Sequence, residues 1–296
     1  MKSHLKMIMS LAILSLPFAA LAAQAEPASQ DSRASLGEIR KVSDLLDSEV
    51  FDKTNESLAN VEDLIFTPEG KPLYVVLSRG GVVGIGASHF PVPWEALGVR
   101  YANGRWGLSL PMTKTALEQA PTFQYDNYRE LTNAQWIDKV HMFFRMPASD
   151  TAKSDANETD AATARRPVAI VLRASKLIGA NVKNPRDEGL GEVEDLLMDR
   201  NDRVAFAILG RGGVLNIGTS FIPVPWEKLR LTVNREDTAV NATIDVTKSQ
   251  LEKAPLVEGD KYATLLGAGY TDQVYRYFGM KGPGIDSDER PRTDRP

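Results

Sequence analysis

The feature that most constrains this chain is an internal repeat. The sequence Val-Glu-Asp-Leu of residues 61–64 recurs at residues 193–196, an offset of 132 positions. With this offset fixed, residues 39–97 align with residues 171–229 without a gap, and 23 of these 59 positions are identical. Unrelated sequences would agree at roughly one position in sixteen, so the chain is a duplication. Each copy, at about 105 residues, is large enough to form a domain.

The front part of each copy predicts short β-strands. Residues 61–66 and 73–77 are rich in β-branched and aromatic residues, and residues 67–70 between them have the composition of a hairpin turn. Pro91 and Pro93 fall where strand pairing must stop or run along an edge, because proline has no N–H to donate. Strands this short and closely spaced favour a small barrel, which protects its edges by closing.

The back part of each copy predicts helix. Thr247 with Gln250 forms a capping-box pattern, and Thr132 with Gln135 gives the same start signal in the first copy. An apolar stripe follows this second signal and is expected to pack on the barrel; it consists of Trp136, Val140, Phe143 and Phe144. The fold class is therefore mainly β with short helices: two small β-barrels in tandem, each followed by a short helical extension.

The expected domain layout follows from composition. The segment from Pro147 to Pro167 has no Leu, Ile, Val or aromatic residue and predicts a flexible linker. We expect a signal peptide at 1–25, disorder at 26–35, the first barrel with its extension at 36–146, the linker at 147–167, the second barrel with its extension at 168–280, and a disordered tail at 281–296. Because the linker offers no shared core, we expect the two copies to fold independently.

The first 25 residues are typical of a secretory signal. Lys2 and Lys6 precede an apolar run over residues 7–22, and Ala23-Gln24-Ala25 has the small-x-small pattern of a cleavage site. The run is short for the roughly 20 residues that span a bilayer. We therefore expect cleavage near Ala25, or after Ala22, and a periplasmic or secreted protein without a transmembrane anchor.

The amino-acid composition limits how the core can be stabilised and which classes of partner the chain can bind. The chain has no cysteine, so its cores must be stabilised by packing without disulfides. Its net charge of -4 argues against nucleic acid as the main partner. A protein partner in the cell envelope is expected, and the sequence leaves the oligomeric state open.

The order of the motifs resembles the PRC-barrel family. The second copy carries the resemblance in four segments, at residues 175–179, 191–196, 212–218 and 224–226. The first copy keeps the later motifs but has Asp47 where Gly179 stands. The family includes the extramembrane domain of the photosynthetic reaction-centre H subunit and a domain of a ribosome maturation factor. The resemblance implies two PRC-like β-barrels that bind and position other proteins without chemistry of their own.

No pattern in the chain predicts a catalytic, cofactor or metal site. His89 aligns with Phe221, so the copies share no histidine-dependent activity. Residues 81–86 lack the Gly-x-Gly-x-x-Gly order of a dinucleotide site. Glu62 and Asp63 are neighbours in one predicted strand and point to opposite faces, so we expect one of them to accept from turn amides and the other to face solvent.

Six residues are candidates for contact with a partner: two Arg and two Trp because these types are favoured at interface hot spots, and one residue of each copy because the copies differ there at the barrel rim. They are Arg79, His89, Trp94, Arg211, Phe221 and Trp226. The alternative is a structural role in which each Trp fills the end of a barrel and each Arg caps a turn. Chemically unlike pairs, His89/Phe221 and Pro72/Val204 among them, cluster around the Gly-Gly turn and the Pro-Trp closure. They predict that the copies have diverged in what they bind.

The leading functional hypothesis is a non-catalytic, exported protein-interaction or scaffold protein. A second hypothesis is a small-molecule or glycan-binding protein that uses the Pro-Trp edge of each barrel. A third is an enzyme of unrecognised type, which would need a cluster of polar groups in a deep cleft.

Overall fold

A computed structural model describes residues 39–81, 86–102, 105–125, 127–145, 170–211, 220–234, 240–258, 261–262, 265 and 268–281. The expected signal peptide, the segment at 26–35, the linker at 147–167 and the tail beyond Lys281 lie outside these ranges. All described residues fall within one compact unit.

The described residues form two sheets of seven strands, related by the repeat. The strands of the first copy are β1 (Arg40–Lys41), β2 (Glu49–Phe51), β3 (Ser57–Phe66), β4 (Pro72–Arg79), β5 (Ser88–Pro93), β6 (Gly98–Ala102) and β7 (Arg105–Ser109). Those of the second copy are β8 (Leu172–Arg173), β9 (Asn181–Lys183), β10 (Gly189–Met198), β11 (Val204–Arg211), β12 (Ser220–Pro225), β13 (Arg230–Val233) and β14 (Val240–Thr243). The strand orders are β5-β4-β3-β2-β7-β6 and β12-β11-β10-β9-β14-β13.

Six short helices accompany the sheets in the described ranges. They are α1 (Val42–Leu45), α2 (Lys114–Leu117), α3 (Ala134–Phe143), α4 (Ala174–Leu177), α5 (Lys248–Leu251) and α6 (Ala268–Tyr277), with 3-10 turns at Trp94–Ala96, Tyr128–Thr132 and Trp226–Lys228. The prediction of a mainly β fold with two tandem barrel-like domains is confirmed.

The hairpin and edge signals of the sequence correspond to the strands observed. Strands β3 and β4 pair antiparallel across residues 67–70, where Gly70 has a φ of 77° that glycine adopts without strain. Pro91 and Pro93 lie in β5, at the end of the strand order. An edge strand needs donors on one side alone, so proline is tolerated there.

The first turn of each copy has the same geometry despite the exchange of Asp47 for Gly179. Both residues have positive φ, 59° and 86° respectively. Asp47 N donates to Val61 O at 2.9 Å, and Gly179 N donates to Val193 O at 2.7 Å. Aspartate is among the residues that tolerate this left-handed conformation, so the turn survives the substitution.

The helical extensions begin close to the predicted positions. The capping box of Thr247 and Gln250 is present at the start of α5, which confirms the prediction. The predicted start at Thr132 is wrong by one residue, because the side chain of Asn133 caps α3 and the Thr132 hydroxyl donates to Arg129 O instead. Val140, on the predicted apolar stripe, is fully buried in a cluster with β3 and β4 residues, so the stripe packs on the sheet as expected.

The two copies exchange their first strands. Strand β1 of the first copy pairs antiparallel with β10, and β8 of the second copy pairs antiparallel with β3. Arg40 lies opposite Met198, and the equivalent Leu172 lies opposite Phe66. Helices α1 and α4, which follow these strands, pack against the same partners, β10 and β3.

Two buried aspartates fasten this exchange. Asp63, fully buried in β3, accepts from the Ser175 amide at 3.0 Å and the Ser175 hydroxyl at 2.6 Å. Asp195, buried in β10, accepts from the Ser43 amide at 3.1 Å and the Ser43 hydroxyl at 2.5 Å. Each aspartate thereby satisfies a first-turn amide of a helix in the other copy, in the manner of an N-cap. Amide acceptance by one acid was expected, but its origin in the other copy was not.

One of the two caps carries an additional ion pair. Arg173 Nε lies 2.9 Å from Asp63 Oδ2, with the arginine side chain 10% exposed. Its guanidinium carbon also lies 3.7 Å from the ring centre of Tyr128. The equivalent residue in the first copy is Lys41, whose Nζ instead lies 3.3 Å from Asp44 of its own helix. The joint between the two copies, formed by the exchanged strands β1 and β8 and the caps of Asp63 and Asp195, is therefore symmetric in its caps. It is asymmetric in charge, because only one cap carries an ion pair.

The expectation that the copies have no shared core is wrong. One cluster of buried apolar residues contains side chains from both, including Leu45 of α1, Leu177 of α4, Trp94 and Trp226. Independent folding required each copy to carry a complete set of strands and its own core. The exchanged strands place part of each sheet in the other copy.

The asymmetry of the joint predicts unequal costs for two equivalent substitutions. Asp63→Asn leaves the Arg173 guanidinium buried without its counter-charge, and the expected loss in the free energy of unfolding is about 3–5 kcal/mol. Asp195→Asn removes no such pair, and its expected loss is about 1–2 kcal/mol. Urea denaturation of the two variants measures both values. Equal losses would contradict the role given to Arg173.

The buried Asp195 carboxyl also predicts that the stability of the protein depends on pH. Burial raises the pKa of the Asp195 carboxyl above its ordinary value, against the opposing effect of the Ser43 donors. The folded state then holds this proton more tightly than the unfolded state, so the stability of the wild type relative to Asp195→Asn falls as the pH rises from about 4 toward 7. Denaturation across this range measures the difference. A difference that grows with rising pH would show the opposite shift.

Candidate functional site

The joint creates two equivalent notches, each where a Trp of one copy meets the hairpin turn of the other. The closed notch lies between Trp226 and residues 67–70, and the open cleft lies between Trp94 and residues 199–202. The repeat relates these elements one to one, since each pair is separated by 132 positions. Differences between the two sites therefore come from particular substitutions.

Trp226 fills the closed notch. It is 3% exposed, and its Nε1 donates to Pro68 O at 3.0 Å. A second bond joins the copies here, from Val204 N to Gly70 O at 2.9 Å. A Cβ at Gly70 would lie 2.9 Å from Trp226 Nε1, closer than such contacts allow, so glycine is needed for the indole to seat.

The open cleft lacks the residues that close the other notch. Asp202 stands where Gly70 would be needed, and Pro72 stands where Val204 donates its N–H. Trp94 is 6% exposed. Its Nε1 forms no hydrogen bond to the described residues and is not buried from solvent. A cleft of about 480 Å³ remains beside it.

Arg40 forms one wall of the open cleft. Its residue is 4% exposed, its Nη2 donates to Asp199 O at 2.8 Å, and the same nitrogen donates to the Asp202 carboxylate. Its guanidinium carbon lies 5.9 Å from the ring centre of Trp106. Leu172 holds the equivalent position in the second copy and is buried in the apolar core. The open side thus exchanges an apolar contact for an ion pair beside two indoles.

The remaining residues that line the cleft include both charged and apolar side chains. Glu95 and Arg200 add one charge of each sign, and Leu97 and Val99 add apolar surface. Glu95 Oε1 lies 3.7 Å from Lys71 Nζ, with both side chains partly exposed. The arrangement can hydrogen-bond and stack against a ligand. In the described part of the chain, no group of three or more His, Cys, Asp or Glu side chains could hold a metal ion.

The other predicted contact residues make their contacts outside this cleft. Arg79 Nη1 donates to Leu58 O at 2.8 Å and its Nη2 lies 3.0 Å from Glu118 Oε1, both within the first copy. His89 stacks on the Tyr125 ring at 4.7 Å between centres.

Phe221 and Arg211 complete the set of predicted contacts. Phe221 O accepts from Val257 N at 2.8 Å, which ties β12 to the segment between α5 and α6. The backbone of Arg211 pairs with Ser220, and its side chain lies outside the described part of the structure.

A second cleft lies on the helical extension of the second copy. It measures about 460 Å³ and is lined by Lys253, Pro255, Gln273, Arg276 and Tyr277. Leu256, the neighbour of Pro255, is 49% exposed. The surface therefore combines two cations with an aromatic ring and exposed apolar atoms.

Sequence reasoning missed Arg40, Trp106 and Asp202. A signal was present, because Asp202 replaces Gly70 and Arg40 replaces Leu172 between aligned positions. Reading that signal requires knowledge that these positions meet across the joint. No local sequence pattern indicates that the two copies contact each other in this way.

None of the helices in the described ranges is long and apolar enough to cross a bilayer. A comparison with curated proteins gives no match. The family model of the PRC-barrel domain matches residues 37–106 and 170–251, which together make up just over half of the chain. The first match runs from the start of β1 into β7, and the second covers β8 to β14 and helix α5. The chain therefore belongs to the PRC-barrel family and carries one such domain in each repeat.

Proposed function

We propose that this protein is a non-catalytic interaction or scaffold protein of the bacterial cell envelope. Its signal-like first 25 residues support export with cleavage near Ala25. The observation that carries the proposal is the joint between the two barrels, in which the buried charges serve to hold the copies together. A protein of this kind presents a preorganised surface to a partner, which lowers the entropic cost of binding.

The use of the buried acids supports a non-catalytic role. Asp63 and Asp195 accept hydrogen bonds from Ser175 and Ser43, and Asp63 also pairs with Arg173. A general acid or base must instead have access to the substrate proton that it transfers. These two carboxylates lie inside the joint, where a substrate has no access.

The cleft on α6 is the surface that best suits a protein partner. Arg276 and Tyr277 belong to residue types that are favoured at hot spots, and the exposed Leu256, next in the chain to the lining residue Pro255, offers apolar area to bury. Lys253 and Arg276 give the surface a positive charge, so a partner segment with acidic residues would complement it. The equivalent helix α3 has Met142 in place of Arg276.

This pair of positions provides a matched test. The processed full-length protein, its N-terminus verified by mass spectrometry, is cross-linked in its native envelope and captured with bound partners. Arg276→Glu should reduce capture of a specific partner by about tenfold or more, the effect of losing a hot-spot residue. Met142→Glu, at a residue that is 72% exposed on the equivalent helix, should leave capture unchanged.

Three outcomes would contradict the proposal. One is the lack of any saturable partner in the cross-linked envelope. Another is equal capture by both variants, which would remove α6 from the interface. A reproducible turnover of substrate, lost on a point substitution in the described clefts, would show that the protein is an enzyme.

A further inference from the structure

We propose that the open cleft between Trp94 and residues 199–202 binds a neutral saccharide. The inference rests on the asymmetry of the joint and does not depend on the proposed protein partner. The protein would then have one saccharide site, whereas a symmetric duplication would have two.

The asymmetry shows that the cleft is built from specific side chains. On the closed side, Trp226 is held by Pro68 O, and glycine at position 70 gives the indole room. On the open side, Asp202 and Pro72 remove both the space and the donor that closure requires. Because the scaffold is otherwise duplicated, the open cleft is a consequence of these few differences.

The aromatic groups of the cleft suit a sugar ring. Trp106, which is partly exposed, lines it together with the mostly buried Trp94, and the C–H face of a pyranose can pack on an exposed indole ring. Trp94 is 6% exposed as a residue, and its indole N–H has no acceptor within the described part of the chain. A ligand hydroxyl can accept from this donor in place of the water that otherwise reaches it.

The charges of the cleft favour a neutral ligand. The ionised side chains that line the cleft carry no net charge, since Arg40 and Arg200 stand against Glu95 and Asp202, and Arg40 is paired with Asp202. An anion would have to compete with Asp202 for Arg40, or bind the exposed Arg200 in a cleft that also holds two carboxylates, and a cation would compete with Lys71 for Glu95. Hydroxyl groups can bond to the free lone pairs and N–H groups of these side chains without breaking the pairs.

The size of the cleft agrees with a small oligosaccharide. Its volume of about 480 Å³ lies within the range of roughly 300–1,000 Å³ typical of small-molecule sites. The apolar side chains of Leu97 and Val99 add to the indole surface. The combination of stacking surface and paired polar groups is the one that recognises an amphipathic ring.

The test titrates the full chain with two neutral disaccharides, cellobiose and di-N-acetylchitobiose, and follows tryptophan fluorescence and the heat of binding. Saturable binding of at least one disaccharide below about 10 mM is expected. Two variants replace cleft residues by their closed-side equivalents: Trp106→Val, and the double variant Arg40→Leu/Asp202→Gly. Each should weaken binding by at least about tenfold.

The matched control makes the same kind of exchange on the closed side. Leu231→Val introduces the residue that the open side has at Val99, and it should leave the affinity unchanged. Thermal melting of each variant confirms folding. The double variant exchanges both partners of the ion pair together, so that it leaves no unpaired buried charge, and it serves if Trp106→Val does not fold.

Three results would overturn the inference. Lack of saturable binding of both disaccharides is one. Binding that persists in both folded cleft variants would place the sugar elsewhere on the protein. Binding of an uncharged tripeptide, acetyl-Gly-Leu-Gly-amide, that is stronger than that of either sugar and is lost in the same variants would assign the cleft to peptides instead.

Discussion

A carboxylate buried in a protein must find hydrogen-bond donors, because its desolvation is otherwise too costly. In this protein, Asp63 and Asp195 find them in the other repeat, at the amides and hydroxyls of Ser175 and Ser43. The exchanged strands β1 and β8 bring the donors into place, and the shared apolar core packs around them. The caps therefore specify that the two barrels form one body, since separating them would leave both acids without these partners.

Duplication supplied the symmetry of this joint, and a few substitutions have removed it locally. Arg173 adds a counter-charge to one aspartate, where Lys41 in the other copy pairs with Asp44. Asp202 and Pro72 likewise keep the notch beside Trp94 from closing. The interior that both copies need is retained, while the periphery of the joint has become two different surfaces. Divergence at the Pro72/Val204 position was visible in the sequence, and its effect depends on what each residue meets across the joint.

Local sequence patterns predicted the parts of the fold that depend on local chemistry. The hairpin at residues 67–70, the edge prolines and the capping box of Thr247 all follow from turn, donor and cap requirements within a few residues. The strand exchange could not be predicted in this way. A strand of two residues such as β1 is too short to show a periodicity. Nothing in its sequence indicates whether it will pair with β3 of its own copy or with β10 of the other copy. The buried cap from Asp195 to Ser43 spans 152 positions, so its donor and acceptor look unrelated in the sequence.

The same limit applied to the candidate site. Trp94 and Trp226 were recognised as a pair, but identical residues in aligned motifs gave no reason to expect one to be hydrogen-bonded and the other to line a cleft. That difference is caused by residues 70 and 202, which lie in the opposite copy from the indole that each one meets.

Native-state hydrogen exchange of the Ser43 and Ser175 amides tests the central claim most directly. If the caps join the barrels into one cooperative body, both amides should exchange with an opening free energy within about 1 kcal/mol of that of central strand amides such as Val75 and Ile208. Fast exchange of both serine amides, while the central strand amides of both sheets stay protected, would show that the barrels separate without unfolding. That result would contradict the account.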